Sequence, residues 1–177
     1  FIIYKSNKGF DLYTDFSKKI ILTKNNIEGF INQCVKLKSK KKETDLFIGF
    51  FGYEVLNNLI GIKVKKQKGL KFPKGIFYKP ETKQKLPNKL NYKNLEIIRP
   101  NKLFKININK SSYKVIFNKF KKKIKSGETY QIKICTKYSN KTQIDALDFF
   151  CRLVKSNMAP EAFMIKDKDY SIISCSP

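Results

Sequence analysis

With 177 residues the chain is long enough for one ordinary domain or two small ones, and 41% hydrophobic with 14% aromatic residues supply a core, which excludes disorder as the default state. A formal net charge of +24 raises nucleic acid as a partner, yet nearly every basic residue is lysine, with only Arg99 and Arg152 as exceptions, whereas phosphate and base recognition favours the bidentate arginine fork. The absence of histidine and of any CxxC pair among Cys34, Cys135, Cys151 and Cys175 argues against zinc, and the longest apolar run, Leu46 to Tyr53, falls far short of the about 20 residues that cross a bilayer.

In chain order, Phe1 to Tyr4 and Lys19 to Thr23 read as short strands. Asn26 to Leu37 reads as a helix with Ile27, Phe30, Ile31, Cys34 and Leu37 on one stripe. Asp45 to Phe51 is apolar on both faces and predicts a buried strand, where Gly49 and Gly52 mark close backbone approach or a bend. The spacing there matches neither GxGxxG nor a phosphate loop. Residues 67 to 91 are punctuated by Pro73, Pro80 and Pro87, with short strand character around Ile76 to Tyr78. Leu95 to Arg99 and Leu103 to Ile106 are further strands, and Pro100 with the Asn/Lys-rich stretch to Lys110 predicts a domain junction near Asn107. The runs Lys36 to Lys42 and Lys63 to Lys71 read as solvated faces, with salt-sensitive polyanion binding as the competing reading.

Ser111 and Ser112 are placed to cap a helix in which Tyr113, Ile116, Phe117, Phe120 and Ile124 recur at helical spacing, and Gly127 supplies its left-handed stop. From Tyr130 the period becomes two. Tyr130, Ile132, Ile134, Thr136 and Tyr138 share one face of an expected strand; Gln131, Lys133, Cys135 and Lys137 share the other. A second helix is expected from a Thr142 cap to Ser156, burying Ala146, Leu147, Phe150, Leu153 and Val154. Phe163 to Ile165 and Tyr170 to Ile173 predict a hairpin turning at 166–169. The order of elements is that of an α+β protein. Ser174 and Ser176 lack a neighbouring base and a GxSxG elbow, which argues against a serine hydrolase.

A helix ending in Gly-acidic-x-aromatic-Gln and running into an extended segment resembles the start of the chorismate-binding domain of anthranilate synthase and aminodeoxychorismate synthase, component I. Three more segments resemble the same family in order: Ile48-Gly49-Phe50-Phe51-Gly52-Tyr53-Glu54, Asn157-Met158-Ala159-Pro160 with Phe163, and Ser174-Cys175-Ser176-Pro177, the last similar to the beginning of an SPE signature. The resemblance implies an N-terminal β-rich domain over residues 1–107 and the opening of a truncated chorismate-binding domain over 108–177. On this reading the chain is a fragment lacking both ends, inactive alone. The family's Mg²⁺-binding glutamates, histidine segment and glycine-rich loop would lie beyond Pro177, leaving no metal ligands within these residues.

The resemblance further implies a cytoplasmic enzyme that takes chorismate and accepts ammonia from a glutamine amidotransferase partner. Gln131 stands where water-adding relatives carry a lysine base, which favours amination, because neutral ammonia needs orientation more than deprotonation. Tyr130 and Ala159 lean toward 4-amino-4-deoxychorismate, for p-aminobenzoate and folate; anthranilate, for tryptophan, is the alternative within the family. Asn157, Ala159, Pro160 and Phe163 fall either in an effector pocket or in a plain structural turn. Met158 and Glu161 depart from the commoner residues there, which puts feedback control in doubt. The alternative of another class is a Lys-rich module binding nucleic acid non-specifically.

Overall fold

The computed structural model describes residues 1–37, 42–62, 72–87, 104–141 and 144–176. The expected strand over Leu95 to Arg99, the Pro100 boundary, the Thr142 cap, Pro177, the second lysine run and the centre of the first lie outside the described residues. The chain divides into two compact units, Phe1–Lys93 with Ala146–Pro177, and Asn94–Asp145. The junction expected near Asn107 thus falls within the span of the second unit.

The first unit is built on an antiparallel sheet. Strands β1 (Ile2–Ser6) and β2 (Gly9–Ile21) form a hairpin, helix α1 (Ile27–Lys36) follows, and β3 (Ile48–Phe51) leads through helix α2 (Tyr53–Leu59) to β4 (Gly75–Leu86). After the second unit the chain returns as helix α4 (Ala146–Asn157) and the hairpin β7 (Glu161–Lys166) and β8 (Ser171–Ser176). The strand order β3-β4-β2-β1-β7-β8 places β1 between β2 and β7, so residues from both ends of the sequence meet in mid-sheet.

Side chains alternate across this sheet, and each face has its own core. On one face Ile3, Phe10, Ala162 and Met164 pack with Phe150 and Cys151 of α4, and beside them Leu22 and Phe77 pack with Ile27 and Phe30 of α1 and Val55 of α2. The opposite face gathers Ile2, Tyr13, Ile76, Tyr78 and Ile165. The α+β class and the hairpin turning at 166–169 are as the sequence indicates.

Several local expectations are corrected. The first two strands are longer than the short runs the hydrophobic pattern marks, and β4 continues through Pro80. A register shift between Phe16 and Lys18 of β2 lies opposite Pro80 and Lys79. The proline, which has no N–H to donate, therefore sits at an irregularity where the ladder is already broken. In α4 the buried pair is Phe150 and Cys151, while Leu147 faces outward.

The second unit holds β5 (Lys105–Ile106), α3 (Lys110–Lys125) and β6 (Tyr138–Ser139). β5 and β6 pair antiparallel, and the pairing is extended by Asn107, whose N–H donates to the Lys137 carbonyl at 3.1 Å and whose Oδ1 accepts from the Lys137 N–H at 2.6 Å. The cap of α3 is Asn109 rather than a serine: its Oδ1 accepts from the Ser112 N–H at 2.8 Å. At the other end Ser126, Gly127 at φ 77° and Glu128 return their N–H groups to the Lys122, Ile124 and Lys123 carbonyls, closing the helix as a glycine stop does.

Candidate functional site

The strand expected from Tyr130 to Tyr138 is extended but makes a ladder only at its end, where β6 begins. A strand needs a partner for its N–H and C=O groups, and among the described residues only β5 and Asn107 supply one. The period-two face pattern is nevertheless present: Ile132, Ile134 and Thr136 are half-buried, while Gln131, Lys133, Cys135 and Lys137 are exposed. Tyr130 and Tyr138, at the two ends, depart from their expected face at 92% and 62% exposure. Gln131 thus opens an extended segment four residues after the Gly127 stop, with its amide toward solvent and its own carbonyl accepting from the Thr129 hydroxyl at 3.2 Å.

The other sequence-marked residues lie in the first unit. Asn157 ends α4, and its side-chain amide donates to the Cys175 carbonyl on β8 at 3.3 Å. Met158 has a positive φ of 50° and stands 86% exposed, whereas Ala159 is buried. Lys5 of β1 reaches across β7, its ammonium donating to the Ala159 carbonyl at 2.6 Å and to that of Pro160 at 3.4 Å. Phe163 follows on β7 opposite Tyr4 and packs against the Ile2 and Tyr78 cluster. Asn157, Ala159, Pro160 and Phe163 are therefore brought together as a turn fastened to both neighbouring strands. Ser176 closes β8 opposite Glu161. Lys5 escapes a reading of the sequence, because nothing in an isolated strand lysine tells which carbonyls it will meet.

A second polar cluster was legible only as a turn. The Asp167 carboxylate, between β7 and β8, accepts from the Lys19 ammonium of β2 at 2.7 Å, from the Tyr78 hydroxyl of β4 and from the Lys168 N–H at 2.7 Å. Tyr78 and Tyr170 bring their hydroxyls within 3.1 Å. Since β1 intervenes between β2 and β7 in the sheet, these contacts require the sheet to curl over its Tyr78 face. Burial alone would raise the Asp167 pKa, but the Lys19 and Tyr78 hydrogen bonds outweigh it and hold the carboxyl well below the usual range. Burial, then the bonds to Asp167 and Tyr170, drive the Tyr78 phenol far above its ordinary value.

A depressed carboxylate pKa contributes stability that is complete above the unfolded-state value and is lost as pH falls through the folded-state value. Asp167→Asn is therefore expected to remove about 1–2 kcal/mol at neutral pH, discounted for the half-exposed Lys19 partner, and to flatten the decline in stability below about pH 4. Urea unfolding of both proteins from pH 7 down to pH 2 reads the difference; parallel curves would show that the pairing contributes nothing.

An open cavity of about 890 Å³ lies between α1 and β3, lined by Phe30, Ile31, Cys34, Phe47, Phe51 and Phe77 among others, with Asp45 as its charged residue. None of the residues marked by the sequence motifs outside β3 reaches it. Among the described residues no group of three or more His, Cys, Asp or Glu side chains could hold a metal ion. None of the four cysteines is in a disulfide, and no helix among the described residues is long and apolar enough to cross a membrane.

A family model described as chorismate binding enzyme matches residues 2–177. No curated protein and no solved structure matches the chain.

Proposed function

Because the chain belongs to the chorismate-binding enzyme family, we propose that it forms part of a chorismate-aminating synthase, component I, that yields 4-amino-4-deoxychorismate. The nitrogen lone pair of ammonia forms the new bond to the ring, the bond to the 4-hydroxyl breaks, and a proton from the nascent ammonium leaves with the hydroxyl as water. Ammonia would come from a glutamine amidotransferase partner. The observation that carries the reading is Gln131: an exposed, uncharged amide at the head of the extended segment, where a water-adding enzyme of this family would need a base. An amide can accept from the N–H of ammonia and orient its lone pair without consuming it by protonation.

Among the described residues no three acidic, thiol or imidazole side chains gather as for a metal ion, and the sequence carries no histidine. The 177-residue chain alone is expected to show no turnover, and no step above is routed through Mg²⁺. The test supplies chorismate and ammonium salt to the product of the complete reading frame and resolves the products by chromatography. 4-Amino-4-deoxychorismate supports the proposal, and anthranilate moves the chain to the other aminating branch. Isochorismate, the isomer formed when water enters the ring and the 4-hydroxyl leaves, would refute the role given to Gln131.

A reading of another class, non-specific polyanion binding, is favoured by α3, which carries Lys110, Lys114, Lys119, Lys121, Lys122, Lys123 and Lys125 and no acidic residue. It expects retention of nucleic acid with a steep salt dependence and no chorismate chemistry.

A further inference from the structure

Gln131 does not stand alone on its face of the extended segment. Lys133, Cys135 and Lys137 follow it at period two, all exposed, while the intervening Ile132, Ile134 and Thr136 turn inward. Neither lysine has an ion-pair partner among the described residues, and no Asp or Glu occurs between Glu128 and Asp145 to neutralise them. This is an uncompensated cationic face that begins at the residue proposed to select the nucleophile.

Chorismate is a dicarboxylate, carrying one carboxylate on the ring and one on the enolpyruvyl ether, so the face and the substrate are complementary in charge. Spacing decides which lysine can act. Along an extended chain Lys133 lies about 7 Å from Gln131, within the span of one small ligand, whereas Lys137 lies about 20 Å away. At physiological ionic strength the Debye length is about 8 Å, so a carboxylate seated beside Gln131 feels Lys133 and is largely screened from Lys137.

We infer that Lys133 binds a carboxylate of chorismate and fixes the ring beside the Gln131 amide, making it a substrate-positioning residue of the amination. The inference rests on the amination reading above. It also gives the exposed lysine a function distinct from the general charge of the molecule: Lys133 contributes geometry, and the remaining lysines contribute at most attraction at a distance.

The test compares Lys133→Gln, Lys133→Arg and Lys137→Gln in the product of the complete reading frame, with steady-state amination at several salt concentrations. Lys133→Gln is expected to raise KM for chorismate about tenfold with kcat changed less than about twofold, the pattern of lost binding rather than lost chemistry. Lys133→Arg restores most of the affinity, Lys137→Gln shifts KM by less than about twofold, and the rise of KM with salt is shallower in Lys133→Gln than in the parent. An unchanged KM in Lys133→Gln, or equal effects at 133 and 137, overturns the assignment while the amination reading stands. Isochorismate as the product refutes amination, and the same KM comparison still judges Lys133. No turnover of chorismate by any of the proteins refutes both.

Discussion

Replacing Gly49 with alanine is expected to cost about 3 kcal/mol or more of unfolding free energy and to leave most of the expressed chain insoluble. A methyl group on its Cα would lie 2.7 Å from the Phe77 Cα and still deeper against the Ile76 carbonyl oxygen. Both are backbone atoms of β4, held in register by the pairs Gly49↔Phe77 and Phe50↔Ile76, and cannot rotate aside as a side chain could. Gly29 is the control. It lies inside α1 with nothing within 4 Å of the added carbon, so alanine there is expected to gain about 0.5–1 kcal/mol by removing backbone freedom from the unfolded chain. Urea titrations followed by circular dichroism compare the two; small and equal effects would deny any close approach at Gly49.

Phe150→Ala should be nearly as damaging. Its ring is 0% exposed and lies among Ile3, Phe10, Cys151, Ala162 and Met164, where α4 meets three strands. Deleting a fully buried phenylalanine ring costs about 3–5 kcal/mol, because the transfer free energy is lost and the cavity closes only in part. Leu147, one turn earlier and 40% exposed, should cost less than about 1 kcal/mol as alanine. The buried thiol of Cys151 offers a local readout. A thiol reagent should label Cys151 much faster in Phe150→Ala than in Leu147→Ala, and equal labelling would mean that α4 is not held by the ring.

That contrast also shows what could be read from the residues and what could not. Helical periodicity finds α4 but starts it several residues before Ala146, and it leaves the centre of the stripe open by one position, where the sheet selects Cys151 over Leu147. The strands β2 and β4 are obscured for a different reason. The register shift between Phe16 and Lys18 breaks the alternation, buried Asp11 looks like a surface residue until Lys83 and Lys85 reach it at 3.6 and 2.6 Å, and Pro80 argues against a strand unless the irregularity beside it is known. The close approach marked by Gly49 and Gly52, by contrast, was legible from two glycines in an apolar run, although β3 is a half-buried edge strand and not the buried strand that its two apolar faces predict. Around Gln131 the alternation of faces held where the expected ladder did not. Burial follows side-chain direction, a local property, whereas a ladder requires a partner that local sequence does not name. The Lys5 clamp and the Asp167 cluster are long-range meetings and leave no local trace.

The placement of β1 between β2 and β7 sets a timetable for synthesis. Lys5 and Pro160 are 155 positions apart, and closing a loop of that length costs roughly 4–5 kcal/mol of chain entropy before the strand pairing offsets it. At ribosomal speeds of about 5–20 residues per second, the β1–β2 hairpin waits on the order of ten to thirty seconds for its second neighbour. Throughout that interval the free edge of β1 carries Ile2 and Ile3 with unpaired backbone groups, a template for any passing strand. For this chain the hazardous step in reaching the folded sheet is the wait for β7, which makes early protection of the nascent hairpin a requirement of its biogenesis.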